Sequence, residues 1–119
     1  QNPDFLISLH LNSSVKAEIN GVSTYYKHIG YRPLTQAILN RMLELKLTEF
    51  GNIGHFNFAL NAPTDFPNCL VEIAFLSNED DEKKIAKPVF HTQVAQKIQL
   101  GITDWLKSLS PNFNTRTNR

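Results

Sequence analysis

Between Asp4 and His10 the apolar residues Phe5, Leu6, Ile7 and Leu9 fall on both parities of the chain. Alternation marks a strand with one wet face, whereas an unbroken apolar run marks one buried on both faces, as in a parallel sheet. A doubly buried strand is therefore expected over 4–10. The polar stretch from Asn12 to Gly21 reads as a loop, and Gly21-Val22-Ser23-Thr24-Tyr25-Tyr26 as a short strand of β-branched and aromatic residues. Past the loop Lys27-His28-Ile29-Gly30, Pro33 opens a helix in which Leu34, Ala37, Ile38, Met42 and Leu45 recur at three- and four-residue spacing. That helix is expected to end near Gly51. Phe56 to Leu60 alternates toward a strand, and Asn61 to Asn68, with Pro63, Asp65 and Pro67, is a turn-rich loop.

Cys69 to Phe75 is the most apolar strand of the chain. Ser77 or Asn78 then caps a short helix whose first turn, Glu79 to Glu82, is acidic and is followed by Lys83 and Lys84, which suits the helix dipole. This charge run reads as a solvated helix start rather than a metal site. The last helix, Pro88 to Leu106, places Val94, Ala95, Ile98, Ile102, Trp105 and Leu106 on one face, with Trp105 in the core. The polar residues from Ser110 to Arg119 carry no period and read as a frayed end or a linker, so the domain is expected over 1–107 and the tail over 108–119. The alternation predicts an α/β fold, a twisted, mostly parallel or mixed sheet flanked by helices.

Composition narrows the classes. At 119 residues with 41% hydrophobic positions the chain is one globular domain or a large piece of one. Twelve basic residues face eleven acidic ones, so no broad field favours nucleic acid or an anionic membrane. The single cysteine, Cys69, excludes an internal disulfide and lies in an apolar run, where a buried thiol is the ordinary reading. No apolar run approaches the roughly twenty residues of a membrane span, and no basic-then-apolar leader is present. The chain starts at Gln1 and enters a strand almost at once, which reads as a fragment or a processed form.

Two ionisable groups stand inside apolar runs, His10 near the end of the first strand and Glu72 within the most apolar one. Burying such a group costs several kcal/mol unless it is paired, hydrogen-bonded or bound to a metal. The plain readings are a hydrogen-bonded histidine and a glutamate salt-bridged to an Arg or Lys elsewhere. The sharper reading is a site, because small polar residues such as Asn12 and Ser13 past a strand's carboxyl end are where open α/β sheets build them. His28, in a loop after aromatic residues, reads as solvent-facing or as a substrate contact beside a groove. His55 and His91 read as structural. Cys69 with His10 would make a thiol nucleophile and base, but apolar surroundings leave such a thiol inert.

Three segments in this order, Leu6-Ile7-Ser8-Leu9-His10-Leu11-Asn12-Ser13, Gly21 to Tyr26 and Leu70-Val71-Glu72-Ile73-Ala74-Phe75-Leu76-Ser77-Asn78, resemble the zinc-dependent N-acetylmuramoyl-L-alanine amidases of the Amidase_3 type. The resemblance extends from about Asp4 to Leu106 and includes the Phe58-Ala59-Leu60 strand and the final helix. It implies a zinc-exopeptidase-like amidase fold, with His10 as a zinc ligand and Glu72 as the catalytic glutamate; Asn12, Ser13 and His28, by their positions alone, are the candidate substrate contacts. Zn2+ is the implied cofactor and peptidoglycan the implied partner, in an extracytoplasmic workplace such as periplasm, cell wall or medium.

Two further ligands of that family, a histidine and a glutamate, come from a region that would precede Gln1, together with the opening strand and first long helix. The chain thus resembles the carboxyl-terminal part of the domain, its metal site completed by an upstream segment or a second chain. Leu11, Ala74 and Asn68-Cys69 depart from the family's usual small residues without removing a chemical group. No long insertion separates Tyr26 from Glu72, which by resemblance leaves the groove open. The alternatives are a truncated domain that binds peptidoglycan or a protein partner without cleaving it, and an unrelated α/β domain in which Glu72 is merely salt-bridged.

Overall fold

The apolar runs assemble into one mixed sheet of four strands, β1 (Leu6–Asn12), β2 (Val22–Tyr26), β3 (Glu49–Gly54) and β4 (Asn68–Phe75), in the order β1-β4-β2-β3. The computed structural model describes residues 3–54 and 58–110. β4 runs parallel to β1 and antiparallel to β2, and β2 runs parallel to β3. With a neighbour on each side, β4 is buried along all but one of its residues, which is why its sequence is almost continuously apolar.

Two helices cover one face of the sheet. In α1 (Arg32–Met42) the residues Leu34, Ile38, Leu39 and Met42 are buried, and in α3 (Pro88–Leu109) Phe90, Val94, Ile98 and Trp105 are. These side chains form one core with Val22, Cys69 and Val71 from the strands. The helices approach closely at Gly101, where an added Cβ would stand 2.6 Å from the Ile38 Cα. Trp105 lies in the core as expected, edge-on to Phe5 with centroids 6.4 Å apart.

Several expectations are corrected. The first strand is not buried on both faces: among the described residues β1 is an edge, and Leu9 is 54% exposed and Leu11 43%. The helix expected to reach Gly51 stops at Met42. A 3-10 turn at Leu43–Leu45 and a left-handed Lys46 (φ 60°) then turn the chain back so that Glu49–Gly54 can pair with β2. That strand carries two glycines and no alternation, so pairing with β2 rather than local propensity makes it extended.

The strand expected over 56–60 is not formed where it is described, since Ala59–Asn61 is a 3-10 turn; residues 55–57, His55 among them, lie outside the described part. Asn61 holds this turn inward, donating from Nδ2 to the Tyr25 carbonyl and to Asn68 Oδ1, both at 3.1 Å. α3 continues to Leu109, past the expected Leu106, and the tail from 111 onward is outside the described residues.

The acidic first turn of α2 (Glu79–Ile85) is only partly the solvated start that its composition predicts. Asn78 caps it, accepting from the Asp81 amide at 3.1 Å. Asp81, however, is 2% exposed, and its Oδ2 accepts the Gly21 amide at 2.8 Å and the Phe75 amide at 2.9 Å. One carboxylate thus joins the entry to β2 and the end of β4 to the helix that follows.

Candidate active site

Strand side chains alternate between faces, so register decides which residues meet. In the parallel pair His10 stands opposite Glu72, and in the antiparallel pair Ser23 stands opposite Glu72 and Tyr25 opposite Leu70. Ser8, His10, Glu72, Ser23 and Tyr25 therefore share the face that α1 and α3 leave uncovered. Ser23 donates its hydroxyl to the Tyr25 oxygen at 3.0 Å, and the His10 Nε2 lies 2.7 Å from Ser8 Oγ. The structure thus brings together the two ionisable groups singled out in the sequence.

Glu72 is 9% exposed, and its Oε2 makes no hydrogen bond within the described residues. The salt-bridge reading of this glutamate finds no support there, because the ion pairs of the described residues lie elsewhere, as between Arg41 and Asp104. Burial holds the Glu72 carboxyl above the ordinary carboxylate range, and the neighbouring His10 pulls it partly back. Burial also raises the Tyr25 phenol; the Ser23 hydrogen bond opposes this, and the charge of Glu72 adds to it. An under-satisfied carboxylate in a recess suits a group that receives protons.

The recess is a groove of about 500 Å³ with Glu72 and Tyr25 on its floor. Asn12, Ser13 and Ser14 give its lining polar groups, and Ile19, Phe50, Ile53 and Phe58 are among its apolar residues. Asn12 and Ser13 thus line the same groove as Glu72. Local bonds set this arm: Asn12 Oδ1 accepts the Ser13 amide at 2.9 Å, and Ser77 Oγ accepts the Ser14 amide at 2.9 Å. His10 stands beside Glu72 without lining the groove. His28 does not line it either, since its Nε2 donates to the Ala62 carbonyl at 3.1 Å and its ring packs on Tyr31.

The remaining candidates sit apart. His91 donates to the Ile85 carbonyl at 2.6 Å, at the end of α2, a structural role as read. Cys69 points to the helix-covered face, opposite to that of His10, so the two cannot work as a pair. Burial pushes its thiol far up. In the native protein Cys69 is expected to resist a thiol-specific chromogenic disulfide and to react promptly once unfolded; stoichiometric labelling of the folded chain at neutral pH would refute this burial.

Sequence reading missed Ser23, Tyr25 and Phe50 as site residues. Alternation along β2 could have flagged the first two, but only given its register against β4. As for zinc, no three His, Cys, Asp or Glu side chains cluster among the described residues as a metal site would require. His10 offers one imidazole, and the lone Glu72 oxygen beside it does not complete a three-donor set. These residues alone do not fit the ion.

A family model described as Amidase_3, N-acetylmuramoyl-L-alanine amidase, matches residues 1–104. The amidase AmiC of Neisseria meningitidis serogroup B is 34% identical over 77 residues, 65% of this chain and 18% of that relative. Among solved structures, the catalytic domain of CwlV, an N-acetylmuramoyl-L-alanine amidase from Bacillus (Paenibacillus) polymyxa var. colistinus, superposes with a TM-score of 0.77 at 30% identity, over 87% of this chain and 58% of that one. An N-acetylmuramoyl-L-alanine amidase from Clostridium difficile 630 does so with a TM-score of 0.82 at 27% identity, over 90% and 60%. The chain therefore spans somewhat over half of these solved chains and about a fifth of the curated relative.

Proposed function

The chain belongs to the Amidase_3 family of N-acetylmuramoyl-L-alanine amidases, and from that premise we propose that it forms the Glu72-bearing part of a peptidoglycan hydrolase. The bond cut is the amide between the lactyl group of N-acetylmuramic acid and the L-alanine of the stem peptide. The observation that carries this reading is the register pairing of His10 with a buried, under-satisfied Glu72 on the floor of an open groove.

In this reading Glu72 accepts a proton from the attacking water and delivers it to the leaving nitrogen, so that the amine departs neutral. Asn12 and Ser13 offer hydrogen-bonding groups that orient the substrate in the groove. A zinc ion held at a completed family site would supply a more acidic water and a polarised carbonyl. His10 would be one of its ligands, and the donors still needed would come from residues outside those described.

A second observation supports an additional segment or chain. The outer edge of β1 has no partner among the described residues, and Leu9 and Leu11 border an apolar groove of about 270 Å³ beside Phe90 and Val94 of α3. Edges of this kind are ordinarily paired or covered. A strand or helix docked there would reach the neighbourhood of His10. The substrate lies outside the cytoplasm, which places the proposed work in periplasm, wall or medium; no described helix is long and apolar enough to cross a membrane.

The test is zinc content together with release of stem peptide from purified peptidoglycan, on this polypeptide and on the full-length protein. About one zinc per full-length chain with peptide release supports the amidase reading. A full-length protein that holds no zinc and releases no peptide overturns it and leaves the reading of a domain that binds peptidoglycan or a protein without cleaving it.

A further inference from the structure

The register of β2 with β3 slips by one residue: Val22 pairs with Glu49, but Ser23 pairs with Gly51. Phe50 is the extra residue, left out of the ladder, and Gly51 after it has φ +142°, a conformation that L side chains rarely adopt. Bulges of this sort bend a strand and re-aim one side chain, and they concentrate beside active sites. Here the side chain re-aimed is an aromatic one that stays 46% exposed, leaning on buried Phe75 with ring centroids 5.4 Å apart at 53° and lining the same groove as Glu72.

We propose that Phe50, set forward by this bulge and backed by Phe75, is the platform on which the C–H face of a pyranose ring of the glycan strand rests. The proposal rests on the amidase reading and adds which half of the substrate occupies this wall. A sugar ring is amphipathic, with C–H groups on its faces and hydroxyls around its edge. It needs an aromatic surface under one face and hydrogen-bonding groups around its edge, and Phe50 and the Asn12–Ser14 arm line the same groove.

Charge separates the two halves of the substrate. None of the described residues lining the groove is Lys, Arg or His, and its one carboxyl group is that of Glu72. A stem peptide, which carries free carboxylates, would meet an acid without a cation there. The glycan beside the scissile bond is neutral, because the lactyl carboxyl is consumed in the amide.

The experiment is calorimetric titration of full-length protein, in a Glu72→Gln background to prevent turnover, with two probes: a peptide-free disaccharide of N-acetylglucosamine and N-acetylmuramic acid whose lactyl carboxyl is capped as its methylamide, and a sugar-free stem peptide. Phe50→Ala is expected to weaken disaccharide binding about tenfold and leave peptide binding unchanged, with Phe50→Trp restoring affinity and the melting temperature constant across the set. An unchanged disaccharide affinity in Phe50→Ala, or loss of peptide binding instead, overturns the proposal. Stem-peptide release by the Glu72-containing protein is assayed in parallel. Phe50-dependent disaccharide binding without any hydrolysis would sink the enzyme reading and keep the platform, whereas hydrolysis with Phe50 indifferent would do the reverse.

Discussion

Glu72→Gln in the full-length protein is expected to lower kcat for stem-peptide release by about a hundred- to ten-thousandfold, the usual contribution of a positioned proton acceptor. The amide keeps the shape of the side chain and loses only its ability to take a proton, so substrate affinity should stay within a fewfold. Folding should not suffer. Burial raises the folded-state pKa of Glu72 above its unfolded value. The protonated carboxyl therefore contributes stability that is fully present below the unfolded pKa and is lost as pH rises through the folded one. At neutral pH the buried carboxylate is a burden on the fold, and its Oε2 has no described hydrogen bond to offset it. The variant should melt at the same temperature or higher, the trade between stability and activity common at functional sites. A Glu72→Gln protein that hydrolyses within tenfold of the parent would remove Glu72 from the proton-transfer role, and one that melts markedly lower would show that the carboxylate holds the fold together.

Asp81→Ala should have the largest effect on stability, roughly 2–4 kcal/mol, because it strips the acceptor from two buried amides at once, each costing about 1–3 kcal/mol when left unsatisfied. The amides are those of Gly21 and Phe75, both held by the same oxygen. Gly21 cannot readily shift to find another partner, since it has φ +108° and its Cα faces the Thr48 carbonyl so closely that a Cβ would lie 2.2 Å from that oxygen. Asp81→Asn can present a carbonyl oxygen at the same point and should recover most of the loss. Urea denaturation of the two variants decides the matter: equal destabilisation would mean that the charge, not the acceptor position, is what counts, and a neutral Asp81→Ala would mean that water replaces the carboxylate.

Part of the site was legible in the sequence alone. His10 and Glu72 stand out because each interrupts a run apolar enough to be a strand, a cost that local sequence makes visible. Asn12 and Ser13 follow because they sit just past such a strand. His28 was equally visible but is engaged with Ala62 and Tyr31 instead of the groove. Asp81 looked like one of four solvated acids, and nothing in Glu79-Asp80-Asp81-Glu82 says which member turns inward; that depends on where the Gly21 and Phe75 amides come to rest. The β3 strand and the Phe50 bulge were missed for a related reason. Residues 49–54 have weak strand character by themselves and take their conformation from the β2 edge.

What the sequence determined by itself is the list of strongly patterned elements, β2, β4, α2 and α3, the start of α1, and the two ionisable groups that are expensive to bury. These rest on local periodicity and transfer energies, which each segment carries wherever it is placed. What only the tertiary structure decided is the mixed strand order, the edge position of β1, the pairing of His10 with Glu72 and Ser23, and the inward turn of Asp81. These depend on register between distant segments, and a slip of a single residue sends every side chain of a strand to the opposite face.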